Sequence, residues 1–260
     1  MNFRAKNFLV SVVVPAIAIV LLNLAGFDGF ILYGTIILAA LIYYFLSFWL
    51  YNFNVHPHGF ITILVPPVLW YSSFLLIYEF FLIDLRVVFQ VAIIIMFLAL
   101  QYYYMSTQNI LNISHFRSIS LSQAAYTTNN FYTVLTFFTV CLGVFLIPDV
   151  MIIVKLGIMF FFFFLLYSIF GTLNHIDFPQ LVYGVFLFST VLLFVAVLFL
   201  TGLFDPGKLI LISIFLTLIF RWMVVLTLFP TRKLLSTFDY FQFIFEITIG
   251  VFILYFAAFR

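Results

Sequence analysis

The sequence predicts an all-α, polytopic transmembrane helix bundle of about nine spans with no soluble domain, on three observations. Hydrophobic residues make up 67% of the chain and charged residues 7%, with a mean hydropathy of +1.32. A soluble domain carries about a quarter of its residues as charges, so the class is a membrane protein. Hydrophobic runs of roughly 18 to 23 residues recur along the chain, each long enough to cross a hydrocarbon core of about 30 Å as a helix. The alternating ten-residue strands of a membrane β-barrel do not occur.

The elements follow in chain order. Arg4 and Lys6 precede the first run, Phe8 to Ala25, which reads as a retained span rather than a signal peptide: it exceeds the usual apolar length and no A-x-A site ends it. Pro15 predicts a kink midway, because it removes one backbone hydrogen bond. The second span, Phe30 to Tyr51, closes on Tyr43, Tyr44, Trp49 and Tyr51, rings expected at a headgroup boundary. The third, Gly59 to Leu82, contains Pro66-Pro67, where two missing amide donors predict a bent or broken helix.

The fourth span runs from Val87 to Met105. From Ser106 to Asn130 lies the longest polar stretch, with Arg117 its one charge, expected as a connection with at most an interfacial helix. The fifth to ninth spans are Phe131 to Ile147, Val150 to Phe170, Leu181 to Leu203, Leu209 to Phe229 and Phe238 to Phe256. Pro57, Pro148, Pro179, Pro206 and Pro230 all fall at boundaries of this segmentation and support it independently of hydropathy. The whole chain, 1–260, reads as a single integral membrane domain. With the N-terminus on the cytoplasmic side, Arg4, Lys6, Arg117, Arg232 and Lys233 fall inside, a weak positive-inside bias. Phe, Tyr and Ile abundance suggests a bacterial inner membrane.

The candidate site is the last hairpin. Arg221 and Glu246 sit eight residues from the turn-side ends of their spans, roughly 12 Å below one membrane face, and are expected to meet as a buried ion pair. Asp239, Gln242, Glu246 and Gly250 recur at spacings of three and four, lining one face of the ninth span. Arg221, Asp239, Gln242 and Glu246 are therefore the candidate binding residues. They form either a clip that fixes the hairpin, the preferred reading, or a polar track for a proton, an ion or an anionic substrate. The Pro66-Pro67 break reads first as a packing kink, since no amide or acidic side chain accompanies it locally and Thr62, Ser72 and Ser73 are its only polar neighbours. His56, His58, His115 and His175 read as solvated loop residues. Glu79 and Arg86 are expected to pair across a turn with Gln90 nearby, and Asn112-Ile113-Ser114 is a glycosylation sequon discounted for lying inside.

The single cysteine, Cys141, excludes an internal disulfide and reads as a packing residue. A net charge of +2 gives no basis for nucleic-acid binding. No catalytic residue, metal-ligand set or cofactor motif is recognised. The partners expected are membrane lipid and, in one reading, other membrane subunits. A non-catalytic membrane subunit or assembly factor ranks first, on span surfaces rich in Phe, Leu and Ile with hardly any buried polar group. A small transporter or channel-like protein using Arg221, Gln242 and Glu246 ranks next, and a lipid-modifying enzyme using His115 or His175 last.

Overall fold

The computed structural model describes residues 2–25, 29–55, 59–117, 123–173, 176–200, 208–228, 245–253 and 255–256, all helical apart from short turns and connections. Seven helical segments are long and apolar enough to span a membrane: Phe3–Leu24, Gly29–Leu50, Gly59–Leu82, Val87–Ile113, Thr128–Leu146, Ile152–Leu173 and Phe178–Phe199. The chain is thus an all-α, multi-span integral membrane protein. A further helix, Leu209–Leu228, and the helical residues 245–253 occupy the expected eighth and ninth positions. The chain divides into two compact units, Met1–Thr139 and Val140–Arg260.

In the first unit the opening span is α1 (Phe3–Phe8), a π-helical turn Leu9–Val13 and α2 (Val14–Ala25). Pro15 accounts for the π turn. Its missing N–H leaves the Ser11 carbonyl without its helical partner, and the backbone there shifts to i→i+5 bonding, with Val14 N–H donating to Leu9 O. The second span is α3 (Gly29–Leu50). It ends in a tight turn where Asn52 and Phe53 both take positive φ, 55° and 57°. Lys6 caps this corner, donating to Asn52 Oδ1 at 2.5 Å with its ammonium 4.5 Å from the Trp49 ring centroid. Tyr43 and Tyr51 are buried within the protein. Both hydroxyls find partners inside the unit, Tyr43 at Gln101 and Tyr51 at the Met105 carbonyl, so neither ring needs an aqueous neighbour.

The third span is broken, as two prolines require. The short helix α4 (Gly59–Thr62) stops, Ile63 and Leu64 form a turn, and α5 (Val65–Ile77) restarts with the prolines in its first turn. Both Ile63 N–H and Leu64 N–H donate to Gly59 O, at 2.9 and 3.3 Å. A second π-helical segment, Tyr78–Leu82, closes the span.

Helix α6 (Val87–Arg117) corrects the expectation for the polar stretch after Met105. It runs on for 31 residues through Ser106 to Arg117, and α7 (Gln123–Leu146) resumes soon after. Among the described residues of this stretch, Thr107, Gln108, Asn112 and Asn129 turn inward, and Gln108, Asn112 and Asn129 find partners there, which a hydropathy average cannot register.

The second unit holds α8 (Ile152–Leu173), α9 (Phe178–Leu200), α10 (Leu209–Leu228) and the helical residues 245–253. Helices α8 and α9 approach closely where Gly184 faces the Tyr167 hydroxyl and Gly171 faces Leu181; a Cβ at either glycine would overlap its neighbour. Of the five consecutive phenylalanines, Phe163 is the one turned fully inward. It stacks on Phe188 at 3.6 Å and meets Phe220 edge-on at 5.7 Å, joining α8, α9 and α10, while Phe161 and Phe164 face outward. Lys155 turns back to donate to Phe145 O at 2.8 Å. Cys141 is a free, buried thiol.

Candidate functional site

Arg221 of α10 and Glu246 of the last described helix meet: Nη2 lies 2.8 Å from Oε1. The equal depth read from the two spans brings them together, since antiparallel neighbours place residues equidistant from the turn side by side. The pair is asymmetric in its surroundings. The Glu246 side chain is 10% exposed and that of Arg221 40%, so the carboxylate is enclosed while the guanidinium keeps an open side. A planar guanidinium with five donors can hold one carboxylate oxygen and still present donors to another group. Trp222 and Leu218 pack within about 3–4 Å of where a Cβ on Gly250 would sit, so glycine permits this close approach of the two helices. The same helices carry an apolar groove of about 560 Å³ lined by Lys208, Leu211, Phe245, Thr248, Phe252 and Phe256; neither charge of the pair lines it. Asp239 and Gln242, the other two candidate binding residues, lie outside the described residues, as do His56, His58 and His175 and the side chain of His115.

The first unit contains polar chemistry that the sequence reading missed. Far from holding hardly any buried polar group, it encloses Asn7, Ser11, Ser47, Thr62, Ser73, Gln101, Thr107, Gln108, Asn112, Asn129, Thr133, Thr136 and Thr139. They organise around one face of α6. Gln90, Gln101, Gln108 and Asn112 are spaced by 11, 7 and 4 residues, close to whole helical turns, and so line one stripe about 33 Å long. Gln90 Nε2 donates to the Tyr78 hydroxyl at 3.3 Å, Gln108 Nε2 to Asn129 Oδ1 at 2.8 Å, and Asn112 Nδ2 to Asn54 O at 3.0 Å. From the first span, Asn7 Nδ2 reaches Ser106 Oγ at 2.8 Å and accepts from Ser11 at 2.6 Å.

Gln101 stands at the centre of this stripe and at the helix break. Its Nε2 donates to the Tyr43 hydroxyl and to the Pro67 carbonyl, the latter at 3.4 Å. The expectation that no amide accompanies Pro66-Pro67 is therefore corrected: the amide comes from α6, 34 residues away in sequence. Aromatic rings surround it. Tyr43 stacks on Tyr71 at 4.5 Å, Tyr104 on Tyr132 at 4.4 Å, and Trp70 packs against both Tyr104 and Tyr132. Thr136 Oγ1 donates to the Tyr104 hydroxyl at 3.4 Å.

Glu79 sits half-buried in the π-helical segment, and Arg86 is exposed beyond it. The sequon Asn112 is inaccessible because its amide is buried and bonded to Asn54 O, whichever side it faces. Among the described residues no cluster of three or more His, Cys, Asp or Glu could hold a metal ion. The signal that could have revealed the interior was present: a helical repeat of amides from Gln90 to Asn112, masked by the aromatic residues between them. No family model, curated protein or solved structure matches the chain, and it stands as a multi-pass membrane protein whose function must be argued from its own residues.

Proposed function

We propose that the protein is a small transporter or channel-like protein, with Arg221 and Glu246 marking a polar track in its last hairpin and Asp239 and Gln242 extending it. The observation that carries this reading is the asymmetry of the ion pair, an enclosed carboxylate held by a guanidinium that stays 40% exposed. A guanidinium with an open face is suited to receive an anion or to exchange its partner during passage. The broken third span and the amide at its break add to the case, since discontinuous helices present backbone carbonyls to cargo in many transporters.

The rival reading, a non-catalytic subunit or assembly factor, relied on an interior nearly free of polar groups, and the enclosed amides of the first unit remove that support. Its other support, broad apolar faces such as Phe30, Leu24 and Val88, is equally what lipid requires.

The test is reconstitution of the purified chain in liposomes loaded with a pH-sensitive dye, comparing wild type with Arg221→Leu. The transporter reading expects proton or anion-coupled proton flux above protein-free vesicles, lost in the variant while it remains folded by circular dichroism. A variant that unfolds, or a wild type that moves nothing, returns the pair to a structural clip.

A further inference from the structure

We propose that the apolar groove of the second unit is a binding site for one anionic phospholipid, with a single acyl chain lying along the groove and the headgroup phosphate held by Lys208 at its end. The site is separate from the Arg221–Glu246 pair and does not depend on the role of that pair.

One stripe of the last helix builds the groove. Phe245, Thr248, Ile249, Phe252, Ile253 and Phe256 recur at helical spacing along it, while Glu246 and Gly250 turn away from it toward α10. Lys208 and Leu211 form the other wall. The two helices run antiparallel here, since Glu246 meets Arg221 and Gly250 lies beside Leu218, so Leu211 and Lys208 come level with the Phe256 end of the stripe.

The length of the groove matches one leaflet. From Phe245 to Phe256 the stripe covers about 16 Å at about 1.5 Å per residue, close to half of a hydrocarbon core of about 30 Å. Phe245 adjoins the ion pair in mid-span, and the other end reaches the boundary where α10 begins. Phe245 and Phe252 are exposed, so the groove is open along its side and a lipid enters it from the bilayer plane. Between its ends Thr248 is the one polar side chain among the described lining residues, so a headgroup or a charged solute finds nothing there to replace its water. A chain instead gains close contact with the rings of Phe245, Phe252 and Phe256.

Charge selects the headgroup. Lys208 directly precedes the first residue of α10, where a long side chain carries its ammonium to headgroup level. An ammonium has three donors and can serve a protein neighbour and a phosphate oxygen together. Asp205, three residues earlier in the sequence, lies outside the described residues. An anionic phospholipid brings a net negative charge to this cation, whereas a zwitterionic one brings its own cation to the same place and gains less.

The test is thermal unfolding of the full chain in a neutral detergent at a fixed mole fraction of added lipid, with native mass spectrometry of the same samples. Phosphatidylglycerol is expected to raise the melting temperature several degrees more than phosphatidylcholine with the same chains. Lys208→Gln should erase that difference, and Ile249→Trp, which fills the groove with its own ring, should erase it without removing a charge. Leu211→Phe, a smaller filler on the opposite wall, takes its place should Ile249→Trp fail to fold. Arg86→Gln, which removes an exposed cation of the first unit, should keep the wild-type difference. Glycerol phosphate, the headgroup without a chain, should give no gain.

Equal gains from the two lipids overturn the inference. So does a difference that survives either Lys208→Gln or the groove filler, one that Arg86→Gln removes as fully as Lys208→Gln, or one that glycerol phosphate reproduces. A wild type that gains from neither lipid and stays dimeric in the mass spectrum gives the groove to a second copy of the chain and overturns it as well.

Discussion

Removing either partner of the Arg221–Glu246 pair leaves a very different charge behind, and the difference can be measured. In Arg221→Leu the carboxylate remains, 10% exposed and without its 2.8 Å partner. Breaking a fully buried pair costs about 3–5 kcal/mol; the open side of Arg221 admits screening and lowers the expectation here to about 2–3 kcal/mol. In Glu246→Leu the guanidinium remains, already 40% exposed and on a stem that can lean toward the interface, so the cost is about 1 kcal/mol. At about 2–4 °C per kcal/mol, the Arg221 variant should melt roughly 5–10 °C below wild type and the Glu246 variant roughly 2–4 °C below. The double variant, with both charges gone, should lie closer to wild type than Arg221→Leu does. The assay is thermal unfolding of detergent-purified protein, followed by circular dichroism or by dye binding at the freed Cys141. Equal losses in the two single variants, or an Arg221→Leu protein more stable than wild type, would refute the argument that the guanidinium compensates an enclosed carboxylate.

Other expectations follow from single contacts. Gly184→Ala should destabilise the second unit by about 1–3 kcal/mol, since the new methyl overlaps a Tyr167 ring held between Phe163 and Phe170, and a lowered melting temperature checks it. Gln108→Leu and Asn129→Leu should each cost about 1–3 kcal/mol by leaving the other amide buried, and the double variant should recover part of that loss. Pro15→Ala should convert the π turn Leu9–Val13 to regular helix, read as slower amide hydrogen exchange across Ser11 to Val14.

Much of the fold was legible because hydropathy and proline are local signals. The first seven spans, the break at Pro66-Pro67 and the disturbance at Pro15 each follow from residues within one turn of the feature. The ion pair was legible for a different reason: two lone charges in adjacent apolar spans can be compared by depth alone. The interior of the first unit was not. The stretch from Ser106 to Asn130 has the composition of a loop, and only partners supplied by other elements, Asn129 for Gln108 and Asn54 O for Asn112, account for the burial of Gln108, Asn112 and Asn129. Gln101 shows the same limit, since its role at the break depends on Pro67, which no window of local sequence contains. The burial of Tyr43 and Tyr51 was not legible, because an amphipathic ring suits a wet boundary and a polar interior equally.

Water access to the guanidinium position decides the central claim. Cys141, the one cysteine in the sequence, is buried, so Arg221→Cys can be labelled with a membrane-impermeant maleimide in sealed vesicles with little background. The account predicts labelling from one side of the membrane, blocked when the opposite side alone is treated. A position 221 that reacts from neither side, while the same protein labels fully in denaturant, would mean a dry contact and contradict the polar track.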